Sequence, residues 1–169
     1  MKGYTPGLFD RLLGGPGHGP ARQAARRMTI EELKDAVARD LEALLNTRSA
    51  MRDEELEGYP ECASSMVSYG LGDFAGLCLS SPADRDAICA SIEKAIACHE
   101  PRLRKVCAKL DLQGESVNRL NFSITAVLAA SVSEEPVNFD AVLTPSTLQY
   151  SISKAGKARS APLGQPGGQ

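Results

Sequence analysis

Histidine is scarce in this chain. There are two, His18 in a glycine- and proline-rich stretch and His99 at the end of a helical pattern, so a Ser/His/Asp or Cys/His arrangement would have to rest on a badly placed imidazole. No glycine-rich phosphate loop precedes a helix, and no G-x-S-x-G occurs. The five cysteines (Cys62, Cys78, Cys89, Cys98, Cys107) contain no C-x-x-C pair. Their odd number and spacing exclude a disulfide framework and a zinc or iron–sulfur site, and they read as buried free thiols serving as small hydrophobes. Acids are plentiful (Glu54, Glu55, Glu57, Glu61, Asp73, Glu100), but each falls in a segment that also reads as surface. A cleft with two carboxylates, one held protonated, is therefore not expected. No apolar run approaches the roughly 18 residues of a membrane span, and the N-terminus lacks a secretory h-region. The expectation is a cytoplasmic protein that is not an enzyme, with no metal, no cofactor, no small-molecule substrate and no catalytic residue.

What is present is ordinary globular material, 43% hydrophobic and 24% charged, with an uneven charge. The net charge is −2 overall, but residues 1–28 carry +4, residues 153–169 carry +3 and residues 29–152 carry −9. An acidic body is a poor surface for nucleic acid, whereas basic arms suit acidic protein surfaces.

The chain divides into three parts. In residues 1–28, Leu8-Phe9-Asp10-Arg11-Leu12-Leu13 forms an apolar cluster, and Gly14 to Pro20 then breaks any regular structure. A tethered apolar patch of this kind reads as a docking arm on a flexible linker. Residues 29–152 form the folded domain. Thr29 and Glu32 make a capping box, and Ile30, Leu33, Val37, Leu41, Leu44 and Leu45 recur at helical spacing until Asn46-Thr47. Residues 48–80 are a long connection with turn glycines at 70, 72 and 76, and a loop this long needs a job or short elements of its own. Ser81-Pro82-Ala83-Asp84 starts a second helix with the buried face Ile88, Ile92, Ala95 and Ile96. The period then changes to two. Val106, Ala108, Leu110 and Leu112, next Leu120 to Leu128, then Val137 to Leu143, and last Leu148, Tyr150 and Ile152 read as four strands. Two main amphipathic helices on a mainly antiparallel sheet of about four strands make the class α+β. Residues 153–169 read as a disordered basic tail.

Glu100-Pro101-Arg102-Leu103 marks the change from helix to strand. Pro101 cannot continue a helix and moves Glu100 out of the α region. Glu100 is left at the negative end of the helix dipole, usually a cost of about 0.3–1 kcal/mol. Either Arg102 or a cation on a partner must hold it.

Four segments, Leu8-Phe9-Asp10-Arg11-Leu12, Tyr69-Gly70-Leu71-Gly72-Asp73-Phe74, Glu100-Pro101-Arg102-Leu103 and Leu148-Gln149-Tyr150-Ser151-Ile152, resemble the TssE family of type VI secretion baseplate subunits. These subunits fall within the lysozyme-like baseplate wedge family of contractile phage tails. The resemblance spans roughly residues 8–152 and departs at Gly72, where proline is expected in most relatives. It implies a structural wedge subunit at the membrane-docked baseplate of a Gram-negative bacterium, linking the wedge scaffold to the contractile sheath. By that resemblance Glu100, Pro101 and Arg102 contact the scaffold subunits TssF and TssG, with TssK also a partner. Leu148, Tyr150 and Ile152 lie on an edge strand that pairs with the sheath subunits TssB and TssC, and Leu8, Phe9, Leu12 and Leu13 form a second docking site. Glu100→Ala is then expected to spare the fold and weaken assembly. The rival readings are a peptidoglycan-cleaving lysozyme-like enzyme and a free-standing binding module.

Overall fold

The computed structural model describes Tyr4 and residues 27–74, 76–78, 81–111, 120–130, 133–144 and 147–154. Helix α1 (Ile30–Asn46) begins where the capping box was read. The Thr29 hydroxyl accepts from the Glu32 amide at 3.2 Å, and the Glu32 carboxylate accepts from the Thr29 amide at 2.8 Å. Its apolar stripe is buried, with Val37, Leu41 and Leu45 fully enclosed. The long connection does carry elements of its own: the single-turn helices α2 (Asp53–Leu56) and α3 (Pro60–Ala63), then a 3₁₀ turn over Met66–Ser68. Helix α4 (Pro82–His99) is capped by the Ser81 hydroxyl and buries Ile88, Ile92, Ala95 and Ile96.

Strands β1 (Leu103–Asp111), β2 (Leu120–Ala130), β3 (Ser133–Thr144) and β4 (Gln149–Lys154) form one antiparallel meander in the order β1-β2-β3-β4. The period of two sends Phe122, Ile124, Ala126 and Leu128 to the buried face, opposite Ala141, Phe139 and Val137. The other face carries Asn121, Ser123 and Thr125 of β2 and Asn138 and Asp140 of β3. Helices therefore cover one face, as the sequence pattern implies.

Strand β1 departs from simple alternation. Leu103 and Ala108 are both buried although five residues apart, which strict alternation forbids. The register explains it. Arg104 pairs with Val127, but Cys107 pairs with Thr125, so β1 holds one extra residue. Lys105 sits in this bulge at φ 52°, the left-handed region.

Both outer edges of the sheet are engaged by helix side chains. The Asn46 amide donates to the Tyr150 carbonyl and accepts from the Tyr150 N–H, each at 2.8 Å, and the Ile152 N–H donates to the Glu42 carboxylate at 2.8 Å. On the opposite edge the Ala108 N–H donates to Glu93 at 2.8 Å. The outer edge of β4 is thus met by α1 at both backbone groups of Tyr150 and at the Ile152 N–H, where a further strand would otherwise pair. Asn46→Ala should cost about 1–3 kcal/mol, since it leaves a carbonyl and an N–H without partners; urea unfolding measures this. No disulfide joins the five cysteines among the described residues; Cys62, Cys78 and Cys98 are exposed and only Cys89 and Cys107 are half-buried. The expectation of buried thiols fails because the connection and the polar side of α4 offer them no core.

Candidate functional site

The chain turns from α4 into β1 at Glu100. The Glu100 N–H closes the helix on the Ile96 carbonyl at 2.8 Å, and the Leu103 N–H returns to the Glu100 carbonyl at 3.0 Å. Pro101 faces solvent, as helix-breaking chemistry allows. Glu100 is the only buried charged residue among those described, 4% exposed. Arg102 holds it from two residues away. Its Nε donates to Glu100 Oε1 at 2.6 Å, its Nη2 donates to Glu100 Oε2, and its backbone N–H adds a bond to Oε1 at 3.2 Å. Nη2 also reaches Asp40 Oδ2 on α1 at 2.5 Å. The hydrogen bonds it donates to Glu100, more than the one to Asp40, hold the Arg102 guanidinium above the ordinary arginine range against the opposing effect of burial. The Arg102 carbonyl accepts from Ala129 of β2 at 2.8 Å. One clasp thus joins α1, the end of α4 and the first two strands.

The clasp decides where Glu100 finds its cation: within its own chain, at Arg102. It also gives Glu100→Ala, expected from the sequence to leave the fold nearly intact, a stability readout beside assembly. A buried carboxylate that accepts three hydrogen bonds cannot be removed without stranding part of Arg102, and the expected cost is about 1–3 kcal/mol by thermal or urea unfolding.

The connection packs beside this corner. The Tyr69 ring meets His99 edge-on, with centroids 5.3 Å apart and planes at 68°. His99 Nε2 lies 3.1 Å from the Ser68 carbonyl; a carbonyl only accepts, so this nitrogen carries the proton. Burial, with Asp40 and Glu100 adding to it, pushes the Tyr69 hydroxyl above the ordinary tyrosine range.

The other expected contact residues part company. The side chain of Tyr150 is 3% exposed and belongs to the core, and the part-buried Ile152 packs against the same core. Leu148 is 57% exposed at φ 54° and borders an apolar cavity of about 110 Å³ with Phe74, Leu77 and Leu143. Leu8, Phe9, Leu12 and Leu13 lie outside the described residues. Asp40 was missed, since on sequence it is one more acid on the polar face of α1. Its only signal was its place one residue before Leu41 of the buried stripe.

The Tyr150 hydroxyl is buried without a hydrogen-bond partner among the described residues, and burial pushes its pKa up from 10.0 to about 12. Because the folded value is the higher one, the neutral phenol supports the fold fully below about pH 10. That support is lost as pH climbs towards 12. Tyr150→Phe should raise stability by about 1 kcal/mol at neutral pH and flatten the alkaline loss. Urea unfolding at the two pH values checks both.

Fold and corner together define a small α+β domain whose conspicuous polar groups hold its own helices to its own sheet. The family model described as "Baseplate wedge protein gp25" matches residues 31–132, more than half of the chain, and the chain belongs to that family. A solved structure described as "The baseplate complex from the type VI secretion system" is similar at 16% identity and a TM-score of 0.41, over 66% of this chain and 94% of that one. No curated protein matches the chain. Among the described residues no helix is long and apolar enough to cross a membrane.

Proposed function

We propose that the protein is a structural wedge subunit of a type VI secretion baseplate, acting in the cytoplasm. It joins a scaffold of TssF and TssG, with TssK, to the sheath subunits TssB and TssC. Membership of the baseplate wedge family supports the structural role, and the segments around Tyr69, Glu100 and Leu148 together with Leu-Phe-x-Arg-Leu at 8–12 support the secretion branch. The observation that carries the reading is the Glu100–Arg102–Asp40 clasp. It fixes a helix-to-strand corner across three elements while leaving Pro101 exposed and Arg102 part-exposed (29% of its side chain). Glu100 then serves the joint by holding Arg102 and the corner in place, and the partner meets Pro101 and the outer side of the Arg102–Asp40 pair. At the other end Leu148, together with the 8–13 arm, is the proposed apolar contact. Pairing along β4 would require the partner to displace Asn46 and Glu42.

Catalysis is not part of the proposal. A glycosidase acid must carry a proton to a leaving group, and both oxygens of Glu100 are taken by Arg102. Co-production of the full chain with TssF and TssG should give one co-eluting complex; a monomer that ignores them overturns the reading. Peptidoglycan hydrolysis by the purified protein, lost in Glu100→Gln, would replace it with the enzyme.

A further inference from the structure

The bulge in β1 does more than shift a register. In an unbroken strand Arg104 and Lys105 would point to opposite faces. Arg104 lies in the row of Val127 on the open face, Lys105 sits in the bulge opposite Ala126, and both are exposed, as is Lys109 beyond the buried Ala108. Three cations therefore follow one another along the edge strand over about 15 Å at 3.3 Å per residue. Their neighbours on the open face of β2 are Asn121, Ser123, Thr125 and Val127, all uncharged. Among the described residues none of the three cations makes an ion pair, whereas Lys34, Arg52, Arg102 and Lys154 all do. Two acids share that face: Asp111, two residues along β1 from Lys109, and Asp140, which lies in the row of Lys109 with Ser123 between them. Two strand spacings, about 10 Å, put Asp140 near a Debye length away.

This ridge stands on a body of net charge −9, and Lys105 keeps it there in a left-handed conformation that glycine adopts freely and lysine adopts at a cost. Guarding the strand edge is not its task, because Glu93 of α4 already engages the β1 backbone at Ala108. Nucleic acid is a poor fit, since among the described residues the open face presents no aromatic side chain for stacking and the body repels phosphates. We propose that Arg104, Lys105 and Lys109 form a docking ridge for an acidic segment of a neighbouring wedge subunit, an inference that rests on the wedge reading above.

The test compares the full chain with the triple variant Arg104→Glu/Lys105→Glu/Lys109→Glu for binding to the purified TssF–TssG complex, at low and high salt. Wild-type binding should weaken with salt, and the variant should bind about tenfold more weakly at low salt, the gap closing as salt rises. Should the triple variant fail to fold, the neutral Arg104→Gln/Lys105→Gly/Lys109→Gln variant takes its place. Lys105→Gly alone should melt higher than wild type, because the strain is relieved, and still bind less tightly. Wild-type affinity in the charge-reversed variant overturns the ridge while leaving the wedge reading standing. So does self-association of that variant as its only change, or wild-type binding to duplex DNA that the variant loses. Failure of the wild-type chain to bind TssF–TssG at any salt overturns the wedge reading and the ridge with it.

Discussion

Arg102→Ala is expected to be the most damaging single change at the corner, lowering the unfolding free energy by about 3 kcal/mol at neutral pH, the lower end of what breaking a buried pair costs. The reasoning is asymmetric. Glu100 is buried and has the guanidinium on both oxygens, so removing the cation strands a carboxylate in a setting that hydrates it poorly. Asp40 also faced that guanidinium and becomes a like charge beside the stranded one. Part-exposure of the Arg102 and Asp40 side chains, 29% and 36%, lets water enter and keeps the figure from the upper end. Asp40→Asn should therefore cost less than about 1 kcal/mol, being the solvent-facing member of the group. Arg102→Lys should recover only part of the loss, because an ammonium cannot serve both Glu100 oxygens and Asp40 in one plane. Urea unfolding of the three variants, read with equal m-values, checks the order Arg102→Ala, then Arg102→Lys, then Asp40→Asn. Equal stability of wild type and Arg102→Ala would show that the clasp contributes nothing to the fold.

The parts of this fold legible from sequence were those set by local chemistry. The capping box of α1, the proline at the start of α4 and the one at its end each act within about four residues, and the two long helices start and stop where such signals lie. The inward faces of β2 and β3 follow from alternation alone. The bulge left no such mark. Lys105 is not a glycine, so the left-handed position in β1 carries no compositional flag, and alternation read from Val106 onward misses that Leu103 belongs to the same face. The edge caps were equally hidden. Asn46 and Glu42 read as polar helix surface, and their work appears only when β4, over a hundred residues on, lies against α1. Glu100 fell between the two kinds. The sequence named both it and its nearest cation, but burial, which turns a surface pair into a clasp, depends on how α1 crosses the corner.

Gly70→Ala should be comparably severe, at about 2–4 kcal/mol, for a reason that lies in the backbone. Gly70 is buried at φ +116°, and a Cβ built there would stand 2.5 Å from the Thr47 carbonyl oxygen and 2.9 Å from the Ser49 nitrogen. Those atoms belong to the short parallel bridge in which the Leu71 N–H donates to Thr47 and the Ser49 N–H donates to Leu71, both at 2.9 Å. Neither can yield as a flexible side chain would, so the alanine must open the bridge or distort α1 at its C-terminal end. Gly72 is the control. It has open space where a Cβ would go, and Gly72→Ala should stay within about 0.5 kcal/mol of wild type. Hydrogen exchange should show the Leu71 and Ser49 amides losing protection in Gly70→Ala before the sheet does. Gly70 also follows Tyr69, whose ring packs on His99 and whose hydroxyl feels Asp40 and Glu100. A bridge opened at Gly70 therefore loosens the wall beside the clasp. Combined with Arg102→Ala it should cost less than the two single changes added together, since both dismantle one corner. Strict additivity in that double-mutant cycle would mean that the connection and the clasp hold the domain independently.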